Sequence, residues 1–369
     1  MKILFCSPYM PPEIAAQFQH ASEAANNFAG NLLEQLKKKN EVTALSFYSF
    51  PKEGKWCQEI EQELSEKGIH FISRIGLLSQ ITGFFRYQWK VFSLMRGADY
   101  VLLYNYCWMY YGILFLAQIL GVKTALILAD HAGAESYTSP IRQFMARRAE
   151  CDYKRFHRLI LLSRHLYDTF PHPAKFFFPG AVRITDYADF EYRRQKKCCI
   201  LYAGLLNEVT GIDLYLNAIR MFDLPDIEFV FTGRGPYEDL IRQVAQEDER
   251  IKYYGFVSRK KYYEILDSSD IVVNPRNMNL PENKNNFPSK VMEYLASGKI
   301  VLSTRFTGWE DFKDHILFVD TSADALCVGL GEAFEMRGQG SRIFDENRAF
   351  AVRYDWRTQT ERLLTFLKE

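Results

Sequence analysis

The feature that most constrains this chain is an alternation of short and long segments, run through twice. Short runs rich in β-branched and aromatic residues stand at 2–6, 41–46, 100–104, 124–129 and 159–162, and residues 28–39 carry apolar side chains at helical spacing. The pattern then starts afresh, with runs at 199–202, 228–232, 251–254, 271–274, 300–303 and 317–319. Helical segments at 212–220, 237–247, 259–266 and 289–296 lie between them. Strands alternating with helices build parallel sheet covered on both faces. Between the two series, residues 186–197 are polar and without period. The expected fold class is therefore α/β, with two Rossmann-like, doubly wound domains facing a cleft. Residues 1–185 form the first domain, 186–197 a linker, 198–352 the second domain, and 353–369 a final helix packing back on the first. A length of 369 residues suits two domains.

Bulk properties exclude several classes. A net charge of +1 argues against nucleic acid as a partner. The halves differ, however, with basic residues in excess before residue 196 and acidic ones after it. Seven scattered cysteines without a C-x-x-C pair point neither to a zinc site nor to a disulfide framework, and fit a cytoplasmic chain. The first residues read as a strand rather than a signal peptide. Residues 100–122 carry no charge over a length that could span a bilayer. Asn105, Gly112, Gln118 and Gly121 break that run into a strand, a loop and a helix, which is the reading preferred here.

The most informative segment runs from Asn274-Pro275-Arg276 to Ser297-Gly298. Within it Phe287-Pro288-Ser289-Lys290 opens a helix straight after a polar loop, with Ser289 placed as N-cap and Gly298 as the stop. Backbone N–H groups at such a start suit a diphosphate. Glu293, one turn further in, is placed to accept hydrogen bonds from a ribose diol.

This segment resembles the donor-binding signature of the family-4 glycosyltransferases, in the branch carrying F-P-S-K-x-x-E-Y. The resemblance implies the GT-B fold and a retaining transfer of sugar from a nucleoside-diphosphate sugar, UDP- or GDP-linked. It places ribose binding on Glu293, and donor sugar and diphosphate binding on Asn285, Asn286, Phe287, Pro288, Ser289 and Lys290. Further segments agree in order. Gly204 and Asn207 lie in the family's first glycine turn, Arg234 and Gly235 in its second, and Phe256 and Val257 in the stretch that reads the base. Three positions depart from the pattern: Asn285 stands where a glutamate is frequent, and Leu205 and Thr210 replace the cations that usually meet the diphosphate. Lys290, Arg276 and Arg234 are the candidates to replace those charges.

The first domain resembles the family less. Ser7-Pro8-Tyr9-Met10-Pro11-Pro12-Glu13 corresponds to a loop that usually holds two glycines, with Asn26 and Asn27 expected to face the cleft. Asn105 follows one strand and Asp130-His131 ends another, and these three are the candidate catalytic residues. No Asp-x-Asp triplet occurs, so a metal-free reaction is expected, with no metal ligands and no cofactor beyond the nucleotide sugar as co-substrate. The acceptor expected is a glycan or polyprenyl-linked molecule in surface polysaccharide synthesis. Segments 86–92 and 142–158 interleave basic residues with rings, or cluster them, as a contact with anionic membrane at the inner face of the plasma membrane would require, though a solvated helix face explains them as well. Two rivals remain open: a non-catalytic nucleotide-sugar-binding or scaffolding protein of the same fold, and a nucleotide-sugar epimerase. A nicotinamide dehydrogenase is disfavoured, since no strand is followed by G-x-G-x-x-G.

Overall fold

The computed structural model describes residues 1–11, 23–49, 62, 64–65, 69–74, 77–129, 131, 133–134, 137–285 and 288–369. The chain divides into two compact units. One comprises Met1–Leu162, Leu166–Phe178 and Thr360–Glu369, and the other Ser163–His165 and Pro179–Gln359. Residues 186–197, expected as a linker, lie within the second unit. There Arg348 donates to the Phe190 carbonyl at 2.9 Å and Arg337 to the Gln195 carbonyl at 2.7 Å.

The first unit is a seven-stranded parallel sheet. In chain order it holds β1 (Lys2–Cys6), α1 (Glu23–Lys37), β2 (Glu41–Ser49), β3 (Ile69–Arg74), α2 (Leu77–Met95), β4 (Tyr100–Tyr104), α3 (Ile113–Leu120), β5 (Lys123–Leu128), α4 (Pro140–Tyr153), β6 (Arg158–Leu161) and β7 (Lys175–Phe177). Sheet order is β3-β2-β1-β4-β5-β6-β7. All five residues of β4 are buried, as a parallel strand covered on both faces requires. The uncharged run 100–122 is β4, a short 3-10 turn and α3, and among the described residues no helix is long and apolar enough to cross a membrane. Both outer strands, β3 and β7, escaped the sequence pattern. They are short edge strands, and β7 has no fully buried residue to mark it.

The second unit repeats the scheme with β8 (Cys198–Leu205), α5 (Ile212–Met221), β9 (Ile227–Arg234), α6 (Glu238–Glu247), β10 (Ile251–Tyr253), α7 (Arg259–Ser268), β11 (Ile271–Asn274), α8 (Lys290–Ala296), β12 (Ile300–Thr304), β13 (Leu317–Val319), α9 (Ala323–Met336) and α10 (Gly340–Ala351). Its six parallel strands run β10-β9-β8-β11-β12-β13. One apolar cluster, around Tyr215, Phe229 and Leu330, covers one face of the sheet, and another, around Met292, Tyr294 and Phe312, covers the other. A last helix, α11 (Trp356–Lys368), ends in the first unit, where Phe366 stacks on Phe176 with centroids 5.3 Å apart.

In each sheet the strand order reverses beside the first strand, between β1 and β4 and between β8 and β11. In such sheets ligands bind beyond the carboxyl ends of the strands at that point. In the second unit the carboxyl ends of β8 and β9 pair there backbone to backbone, with Gly204 opposite Gly233. A Cβ on Gly233, whose φ is +138°, would lie 1.8 Å from the Gly204 carbonyl oxygen. Gly233→Ala should therefore destabilise the second unit by about 2 kcal/mol or more. Calorimetric melting should show its midpoint lowered by roughly 4–8 °C, against an unchanged midpoint for Gly338→Ala, whose Cβ would meet nothing within 4 Å.

Candidate functional site

The switch point of the second sheet is closed by two loops that hold each other. Gly211, at φ +75°, brings the turn after β8 against the loop after β11, where an added Cβ would stand 1.9 Å from the Pro275 carbonyl oxygen. Asn277 N–H donates to the Val209 carbonyl at 3.2 Å. Asn283, fully buried, donates from Nδ2 to the carbonyls of Val209 (2.8 Å) and Asn277 (2.7 Å). Its Oδ1 accepts from Arg276 Nη1 at 2.7 Å. One amide thus ties three points of the loop, and Arg276, a candidate diphosphate cation, is engaged in holding it. Sequence reasoning passed over Asn283, since an asparagine after Pro-Glu reads as an ordinary turn residue.

In the preceding turn, Asn207 Oδ1 accepts from the Thr210 N–H at 3.0 Å, and Thr210 Oγ1 donates to the Leu205 carbonyl at 2.6 Å. Two of the three positions that depart from the resembled pattern, Leu205 and Thr210, are therefore linked within one turn. Beside it, Gly235 N–H donates to Glu238 Oε1 at 3.1 Å. The Arg234 guanidinium sits over the exposed Phe256 ring, 4.5 Å from its centroid. Gly255, just before Phe256 and Val257, accepts from Gly233 N–H (2.9 Å) and Thr232 Oγ1 (2.9 Å), which fixes that stretch against the second glycine turn.

Pro288 and Ser289 lead into α8. Ser289 holds the N-cap place, but its own backbone is helical (φ −54°, ψ −27°) and its hydroxyl makes no capping bond. The capping expected of it is not made, because an N-cap side chain reaches back to the helix only from extended backbone. Gly298 follows the helix at φ +72°, as a helix stop requires. Glu293 is partly exposed, and its Oε2 accepts from Tyr262 Oη at 3.0 Å and from Lys290 Nζ at 3.2 Å. The Lys290 ammonium also lies 4.2 Å from the centre of the Tyr262 ring. Desolvation pushes the Tyr262 phenol well above its ordinary value and the nearby Glu293 carboxylate adds to this, so the phenol keeps its proton and donates it. Tyr262, on α7, is the residue that the sequence did not single out. It lies 31 positions from Glu293 in a helix that reads as amphipathic filler.

At the carboxyl ends of the first sheet, polar residues are largely turned to internal use. Asn26 is buried and exchanges hydrogen bonds with Met10, receiving from its N–H at 2.8 Å and donating to its carbonyl at 2.7 Å. It therefore fastens the loop after β1 to α1, while Asn27 is exposed. Asn105 adopts φ +48°, a conformation asparagine tolerates, and its Oδ1 accepts from the Ala129 N–H at 2.8 Å. His131 Nε2 lies 3.4 Å from Glu150 Oε1, with Tyr153 edge-on to its ring. Asp130, Asn286 and Phe287 lie outside the described residues, as do Pro12 and Glu13. Among the described residues no group of three His, Cys, Asp or Glu side chains is placed to hold a metal.

Asn283→Ala would leave two carbonyls and the Arg276 guanidinium short of a partner. It should cost about 2 kcal/mol of stability and speed amide exchange in residues 205–211 and 275–285. Unchanged exchange there would mean that the loops hold together without it.

Residues 197–334 match the family described as glycosyl transferases group 1. No curated protein sequence matches the chain. Among solved structures, a glycosyltransferase from Rickettsia africae aligns over 100% of this chain and 97% of its own, with a TM-score of 0.74 at 13% identity. HepE of Anabaena, solved in complex with UDP, aligns over 100% of both chains with a TM-score of 0.74 at 14% identity. Sucrose-phosphate synthase from Thermosynechococcus elongatus covers 100% of this chain and 98% of its own, with a TM-score of 0.72 at 12% identity. The fold is that of the GT-B glycosyltransferases, and residues 197–334 form a glycosyl transferases group 1 domain within it.

Proposed function

We propose that the chain is a retaining family-4 glycosyltransferase that moves a sugar from a UDP- or GDP-linked donor to a glycan or polyprenyl-linked acceptor. The observation that carries this reading is the Glu293 carboxylate, held by Tyr262 and Lys290 on α8, directly after the loop at the switch point. A carboxylate fixed in this way is suited to the two hydroxyls of a ribose. Lys290 would then move from Glu293 to the diphosphate, exchanging one charge-assisted bond for another. Arg234 stands on the neighbouring turn. Backbone N–H groups and cations aimed at the departing diphosphate stabilise charge as it develops, in a transition state of oxocarbenium character. HepE of Anabaena has also been solved in complex with UDP-glucose, which supports a donor of this class.

In this reading the reaction needs no metal and serves surface polysaccharide synthesis at the cytoplasmic face of the membrane. Asn105, Asp130 and His131 are assigned to the side of the reacting sugar and acceptor, Asn105 by fastening its loop at Ala129. Leu205, Thr210 and Asn285 favour a second reading, a nucleotide-sugar-binding protein without transfer activity. Calorimetry with UDP, GDP, CMP and their common sugars tests the donor binding that both readings expect, and hydrolysis or transfer of the bound donor separates the two. One nucleotide series should bind, and Glu293→Ala should weaken it by roughly tenfold to a hundredfold, as expected for losing hydrogen bonds to a charged group. Tyr262→Phe should cost several-fold, and hydrolysis or transfer of the bound donor should proceed unchanged in EDTA. Absence of binding at millimolar nucleotide would remove the transferase reading.

A further inference from the structure

The connections β3–α2–β4, β4–α3–β5 and β5–α4–β6 all step the same way across the first sheet. Right-handed crossovers therefore set α2, α3 and α4 on one of its faces. The first two are in register with each other. Gln88 on α2 donates to the Met109 carbonyl at 2.6 Å, and its amide oxygen lies 2.3 Å from where a Gly112 Cβ would be. Phe85 lies three residues before Gln88, and Phe115 and Ile119 lie three and seven residues after Gly112. Each therefore stands beside the line along which the two helices meet, on its outer side. Trp89 is one turn on from Phe85. Yet Phe85, Trp89, Phe115 and Ile119, with Ile141 and Phe144 on α4, are each 59–72% exposed. Helix α4 is anchored at its far end, where buried Asp152 accepts from Tyr106 Oη at 2.9 Å and from Arg155 at 3.0 Å, while its first two turns stand largely in solvent.

The charge on this face has one sign. No acidic residue occurs between Glu66 and Asp99, while Arg86 and Lys90 flank the rings of α2. Helix α3 is uncharged. Arg142 and Arg147 flank Ile141 and Phe144 on α4, whose two carboxylates, Glu150 and Asp152, are already engaged by His131, Tyr106 and two arginines.

We propose that the α2–α3–α4 face docks on an anionic lipid bilayer, its rings entering the headgroup boundary and its lysine and arginines meeting lipid phosphates. A bilayer suits the pattern better than a second copy of the chain. Two such faces brought together across a two-fold axis would oppose like charges. Exposed rings inside a basic rim are what an interfacial lipid surface selects. The proposal does not depend on the donor chemistry of the second unit, and nucleotide calorimetry on the same variants separates the two.

The test is co-sedimentation of the full chain with vesicles of phosphatidylcholine, alone or with roughly a third phosphatidylglycerol. The chain should sediment with the anionic vesicles, stay in solution with the neutral ones, and be released by molar salt. Arg86→Gln and Lys90→Gln should each weaken binding by about fivefold. Trp89→Ser with Phe115→Ser should abolish it, with the thermal midpoint retained because all four side chains project from the surface. Equal binding to both vesicle types, no sedimentation, or unweakened binding by the folded variants would overturn the proposal. A concentration-dependent dimer that those substitutions dissociate would instead assign the face to a second copy.

Discussion

The second unit depends on backbones approaching more closely than side chains allow. The carboxyl ends of β8 and β9 lie against each other at Gly204 and Gly233, and the turn after β8 lies against the loop after β11 at Gly211 and Pro275. Those contacts place three strand ends within reach of one small ligand. They also explain why the glycines fall where they do: Gly233 and Gly211 combine a positive φ with a carbonyl oxygen less than 2 Å from any Cβ. A side chain at either place would separate the loops, and the switch point would open to solvent.

Once the loops are held, the polar chemistry divides into two tiers. Asn283 ties its own loop, through Arg276 and Asn277, to Val209 in the turn after β8 and gives both rigidity. Glu293 and Lys290 are partly exposed, bonded to each other and to a phenol that keeps its proton. An ion pair this exposed contributes little to stability. A pair of small intrinsic value can be rearranged at little cost, and the bond from Tyr262 holds the carboxylate independently of Lys290. Leu205 and Thr210 stand where the resemblance leads one to expect cations, and Thr210 closes its own turn through Asn207. The turn holds its shape without those charges, which leaves Lys290 and Arg234 as the cations proposed for the diphosphate.

The α/β class and most central strands were legible because parallel strands buried on both faces read as continuous apolar runs, as in β4 and β12, where every residue is buried. The edges were not legible, because β3 and β7 share only one neighbour each and carry mixed residues. The polar stretch 186–197 reads as a tether by composition. Its carbonyls at Phe190 and Gln195 are instead bound by arginines 158 and 142 residues away, a pairing that no local pattern contains. At the candidate site, the glycine turns and Glu293 were singled out by the resemblance, and the structure sets them at strand ends and on a helix where spacing fixes their direction. Tyr262 and Asn283 were not singled out, because their roles come from partners supplied by the fold. Ser289 shows the converse: a residue of the right type at the right place, with a backbone angle that denies it the expected bond.

The first unit uses its residues in another way. Asn26 and Asn105, two of the polar side chains that the sequence offers for contact with a ligand, fasten loops to neighbouring elements, and His131 lies against Glu150 and Tyr153. Its unsatisfied surface is elsewhere, on helices whose inner stripes are core and whose outer stripes carry aromatic rings. An isolated exposed ring needs no explanation, but rings recurring on three adjacent helices within a basic surround do. Leaving them in water sacrifices the transfer free energy of several large side chains, a cost that selection for folding alone would remove by substitution. The second unit carries fewer such rings, and its exposed Phe256 is covered on one side by Arg234. The two units therefore offer surfaces of different kinds: in one, fixed loops around a small polar site; in the other, an open face of rings within a basic surround.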